Sequence, residues 1–69
     1  MNTFSQILKK LRVEQKLSQI ELAKKLNVST KSISHWETGY TEPSIGQLVQ
    51  LADIFDVSLD ELTGRNKTY

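Results

Sequence analysis

Sixty-nine residues without a cysteine make one small domain that neither a disulfide nor a thiolate metal site can staple, and with a single histidine no structural zinc is expected. The formal net charge of +1 hides a division: residues 1–40 carry seven Lys/Arg (Lys9, Lys10, Arg12, Lys16, Lys24, Lys25, Lys31) against three acids (Glu14, Glu21, Glu37), whereas residues 41–64 carry five acids (Glu42, Asp53, Asp56, Asp60, Glu61) and no base. A molecule so polarised is expected to meet an anion with its first half. No run is apolar enough to span a bilayer, and "MNTFSQILKK" lacks the apolar centre of a secretory signal, so a cytoplasmic protein with no membrane partner is expected.

The apolar spacing is helical along the whole chain, and no stretch alternates like a strand. Phe4, Ile7, Leu8 and Leu11 predict a first helix over 4–15, opened by Thr3 with Gln6 three residues on. Ile20, Leu22, Ala23 and Leu26 predict a second over 18–26, with Ser18 and Glu21 at its start and Asn27 at its end. A third, over 29–37, is capped by Ser29, turns Val28, Ile33 and Trp36 inward and stops at Gly39. Ile45, Leu48, Val49, Ala52 and Phe55 predict a fourth over 44–55, begun by Ser44 with Gln47. Leu59 and Leu62 mark a fifth over 58–63, from Ser58 with Glu61 to Gly64. Each Ser/Thr with Glu/Gln three residues later is a capping box, in which two orphan amides are satisfied reciprocally. Leu17 with Leu22, Val28 with Ile33 and Val57 with Leu62 are spaced as hydrophobic staples. Asn27, Gly39 and Gly64 tolerate the left-handed conformation that ends many helices. The fold class is therefore all-α, a compact five-helix bundle.

The third helix departs from the others. Position 32 is Ser, not Glu or Gln, so its first turn holds no acid to repel an approaching phosphate. Packing needs Ile33 and Trp36; Thr30, Lys31, Ser34 and His35 remain on a face that packing does not need. Small Ala23 lets the second and third helices approach at their corner, and Asn27 can take φ > 0 where the chain turns.

Over "QIELAKKLNVS", "SISHWETG" followed by Pro43, and "LADIFDVSLDELTG", the chain resembles the helix-turn-helix of the Cro/phage-repressor (XRE) family of transcriptional regulators, across about residues 4–63. The resemblance implies a lambda-repressor-like bundle whose second and third helices form the motif, with residues 1–64 as the DNA-binding domain and 65–69 as a short tail. It implies that the third helix enters the major groove of double-stranded DNA. Thr30, Lys31 and His35 then fall where base edges are read, with Ser34 alongside, and Gln19 falls where the family holds a phosphate. Lys31 can donate to guanine or to a phosphate, Thr30 offers a hydroxyl and a methyl, and His35 donates or accepts by tautomer. Ser29, Tyr40 and Thr41 bring further hydroxyls toward phosphate. Arg12 and Glu37 align with a pair that is salt-bridged in related repressors, and Arg12 can also reach a phosphate.

One departure weakens the grip of a single copy: after Gly39, where many relatives carry Lys or Arg, this chain reads "YTEPS", and Glu42 repels DNA. Relatives bind pseudo-palindromic operators as two-fold dimers, so a homodimer is expected, with Val57, Leu59 and Leu62 as contact candidates. Leu59 can equally be core. The functional expectation is a sequence-specific regulator, a repressor, with no cofactor, no metal and no catalytic residue. The alternative is a protein-interaction module that keeps the fold and takes a protein partner on its acidic C-terminal half.

Overall fold

The computed structural model describes residues 3–64. They form α1 (Thr3–Glu14), α2 (Gln19–Leu26), α3 (Thr30–Thr38), α4 (Ile45–Phe55) and α5 (Leu59–Thr63), with no strand among the described residues. Every helix bound falls within one residue of the sequence-based expectation. The tail 65–69, named above as a separate segment, lies outside the described residues.

Three of the four corners are one device used three times. Lys16-Leu17-Ser18, Asn27-Val28-Ser29 and Asp56-Val57-Ser58 each place a left-handed residue (φ 58°, 58° and 54°), then an apolar residue, then a serine that caps the next helix. The apolar residue's N–H reaches back five positions, Leu17 to the Arg12 carbonyl, Val28 to Ala23 and Val57 to Ala52, each at 3.0 Å. Those bonds satisfy carbonyls that a helix end would leave open. The same three side chains pack against the core. Asn27 was legible as a stop. Lys16 and Asp56 were not, although Asp also tolerates the left-handed region; for Lys the conformation costs about 1–2 kcal/mol, offset here by the capping bonds.

The capping boxes at Ser18 and Ser44 are reciprocal, with Ser18 N donating to Glu21 Oε1 and Ser44 N to Gln47 Oε1, both at 2.8 Å. At Ser58 the box is half-formed: Glu61 N donates to Ser58 Oγ at 3.0 Å, while the hydroxyl turns back to the Glu61 carboxylate at 3.4 Å. Thr3 is the first residue of α1 and not its cap.

The core is built from Phe4, Leu8, Leu22, Ala23, Leu26, Ile33, Trp36, Leu51, Ala52, Phe55 and Leu62. Two stripes needed correction. Ile20 is 56% exposed at the start of α2, and on α4 Ile45 and Val49 are 80% and 42% exposed while Leu51 is fully buried. Gln47, Gln50 and Asp53 line one side of α4, but the apolar arc opposite them is broad enough to hold two helical stripes, 45/48/49/52 and 48/51/52/55; packing against α2 and α5 selects the second. Leu62, expected as a dimer contact, is fully buried, so no second copy can reach it. Val57 packs against the core, which leaves Leu59, 44% exposed, as the solvent-facing one of the three. Gly64 (φ 73°), which ends α5, lies against α1: a Cβ there would collide with Thr3 Cγ2 and lie 3.0 Å from Ile7 Cδ1.

Candidate nucleic-acid interface

α3 is held from behind by α1 and α2. Its inward side buries Ile33 and Trp36, and the Trp36 carbonyl accepts a 2.6 Å hydrogen bond from the buried Ser5 hydroxyl of α1. Below its C-terminal turn, the Glu37 carboxylate accepts from Arg12 Nε (2.6 Å, Oε2), Arg12 Nη2 (3.1 Å, Oε1) and Gln19 Nε2 (3.1 Å, Oε1). Arg12 Nη1 also donates to the Leu17 carbonyl at 2.8 Å, and the Arg12 and Glu37 side chains are only 12% and 3% exposed. One network therefore joins α1, the first corner, α2 and α3.

This places two of the expected phosphate contacts differently from the others. Gln19 directs an amide hydrogen to Glu37, and Arg12 engages all three of its nitrogens inside the fold. What either could offer a phosphate is the remaining hydrogens of groups whose first task is to orient α3. Ser29 caps α3 by accepting from Ser32 N (3.1 Å) and shares a hydroxyl hydrogen with Ser32 (3.0 Å). Ser5 escaped sequence reasoning, and Ser32 was noted only for not being an acid. Ser5 lies three positions before Leu8 on the apolar stripe, where a serine needs a buried partner.

The outer side of α3 brings the expected base-reading residues together. Thr30, Ser34 and His35 are half-buried and Lys31 is exposed. Among the described residues, the side chains of Thr30, Lys31 and Ser34 have no hydrogen-bond or ion-pair partner. His35 meets the ring of Tyr40, with centroids 4.7 Å apart and planes at 61°. Gly39, left-handed at φ 80°, ends the helix, and both Tyr40 N (2.9 Å) and Thr41 N (3.4 Å) donate to the His35 carbonyl. No acid stands in the first turn. On neighbouring α2, Glu21 is held below the usual carboxylate range by the Ser18 backbone N–H, then by the Ser18 hydroxyl, with Lys25 and Lys24 adding to the effect. No helix among the described residues is long and apolar enough to cross a membrane.

In sequence and in fold the chain is similar to known regulators. The family model HTH_3, described as helix-turn-helix, matches residues 8–62. YqaE of Bacillus subtilis (strain 168), an uncharacterized HTH-type transcriptional regulator, is 41% identical over 59 residues, which are 86% of this chain and 51% of that protein. The HTH-type transcriptional activator BcrR of Enterococcus faecalis is 39% identical over 59 residues, 86% of this chain and 29% of BcrR. The crystal structure of a transcriptional regulator from Listeria innocua superposes with a TM-score of 0.91 at 34% identity, covering 97% of this chain and 63% of that one. The chain thus spans about half, or less, of the length of these curated relatives. With its family's pattern running from α1 into α5, the chain belongs to the helix-turn-helix family of Cro/C1-type transcriptional regulators, a family of regulators and not of enzymes.

Proposed function

We propose that this chain binds double-stranded DNA and reads an operator by laying α3 in the major groove, as a two-fold dimer on a pseudo-palindromic site. The observation that carries this reading is the outer face of α3. It presents Thr30, Lys31, Ser34 and His35 and no exposed apolar anchor, and its first turn has no acid. Lys31 donates to a guanine edge or a phosphate, Thr30 and Ser34 contribute hydroxyls, and His35 donates or accepts. Hydroxyls of Ser29, Tyr40 and Thr41 flank the helix for backbone contacts, which position the reader without carrying sequence. A second copy docks beside Leu59 of α5. Bound at a promoter, such a dimer represses by occupying it.

Selection from randomised duplex DNA tests this, with a Lys31→Ala, His35→Ala double variant alongside. The expected result is a two-fold symmetric motif that degrades in the variant. A flat selection whose residual binding vanishes with modest salt would leave only the phosphate attraction and would overturn operator reading. One observation favours a second reading in that case. On α4, within the acidic half, Ile45 and Val49 are exposed, as a face for a protein partner would be.

A further inference from the structure

Tyr40 stands out once the helix corners are compared. At the three corners built on Leu17, Val28 and Val57, the residue after the left-handed position sends its N–H back five residues and buries its side chain against the core. Tyr40 makes the same backbone bond, to the His35 carbonyl at 2.9 Å, yet its side chain is 77% exposed. A hydrophobic contact with the helix normally accompanies this cap. Here the ring turns outward, and among the described residues its ring partner is His35, edge-on at 4.7 Å and 61°. Core packing therefore gives no account of an aromatic at this position, whereas the contact with His35 does.

Base recognition by an imidazole depends on where the ring plane points, because its two nitrogens donate or accept only near that plane. A half-buried His35 on a helix surface has rotamers to choose from, and no hydrogen bond to its ring fixes one among the described residues. An aromatic neighbour in a T-shaped contact favours one orientation. Tyr40 is itself tied to His35 through the backbone turn at Gly39, which keeps its Cα beside this helix end and leaves only its side-chain torsions to bring the ring onto the imidazole.

We propose that Tyr40 is a positioning residue for specificity: its ring sets the orientation of the His35 imidazole and thereby sharpens discrimination at the base pair that His35 reads. This rests on the operator-reading function above. It is a role for the ring, separate from any phosphate contact by the hydroxyl.

Two measurements on the intact chain test it, with Tyr40→Ala, Tyr40→Phe and His35→Ala compared. In free protein, the His35 ring-proton resonances should carry a ring-current shift that disappears in Tyr40→Ala and survives in Tyr40→Phe; unchanged resonances in Tyr40→Ala overturn the proposal whatever the DNA result. In selection and binding assays, Tyr40→Ala should lose about tenfold in discrimination at the same base pair that His35→Ala relaxes, whereas Tyr40→Phe should keep the parent's discrimination at that pair, whatever affinity for all sequences the lost hydroxyl costs it. If Tyr40→Ala and Tyr40→Phe instead weaken all sequences alike, with the salt dependence unchanged as for loss of a neutral donor, the tyrosine is a phosphate contact only and the proposal is wrong. If the parent protein selects no motif, operator reading fails and takes this inference with it, and a ring-current shift still present in the free protein identifies that as the cause.

Discussion

At the level of single residues, the interface is governed from behind. Glu37 accepts three hydrogen bonds from Arg12 and Gln19 while almost fully shielded from water, so losing it strands the Arg12 guanidinium in a poorly solvated place. Removing one member of such a pair costs about 3–5 kcal/mol, whereas exchanging both for apolar residues of similar volume is often neutral. Glu37→Ala should therefore lower unfolding free energy in urea by about 3 kcal/mol, and Arg12→Met with Glu37→Leu should recover most of that loss. A single-variant loss under about 1 kcal/mol would mean that the pair behaves as a surface ion pair. The spacing of Arg12 and Glu37 suggested nothing by itself; the family resemblance pointed to the pair, and three-dimensional packing added Gln19 and the Leu17 carbonyl. Ser5 was hidden for the opposite reason, since a serine among apolar positions reads as noise until its acceptor, the Trp36 carbonyl 31 residues away, is known.

At the level of elements, stability is written locally. A domain of this size has a limited core, and each corner supplies a cap to both helices that meet there. Ser18→Ala should cost about 1 kcal/mol through loss of the α2 cap. Glu21 adds a pH dependence to the same cap. Its folded carboxyl titrates below the unfolded value of about 4.3, so its contribution is present above that pH and is lost as pH falls through the lower folded value. Glu21→Gln keeps the capping acceptor and removes the titration. The difference in urea midpoint between parent and Glu21→Gln should therefore be constant near neutrality and change below about pH 4; a difference constant down to pH 2 would rule the linkage out. These local signals were nearly all legible, because a cap involves residues three to five apart. The missed stops at Lys16 and Asp56 show the limit, since only the back-bonds from Leu17 and Val57 reveal why the chain turns there.

For the whole molecule, the basic residues gather in α1 to α3 and the acids from residue 41 onward. On the proposed orientation, Glu42 in the loop after α3 opposes DNA in a place where the rest of the face attracts it. Glu42→Lys should raise affinity for all duplexes alike and steepen the salt dependence of binding by about one to two units of log–log slope. Fluorescence anisotropy titrations at several salt concentrations would measure this, and an unchanged slope would place that loop away from the phosphates. By itself the sequence determined the helices, most of their caps, the two-helix corner and the polar face of α3, because each of these follows from periodicity and from contacts within one or two turns. Only the tertiary structure decided which stripe of α4 faces the core, that Leu62 is interior, that Arg12 and Gln19 brace Glu37, and that Tyr40 stands against His35. A helix whose apolar arc is wider than one contact face has no single preferred inside until its neighbours arrive, and a side chain with two possible partners is committed only by packing.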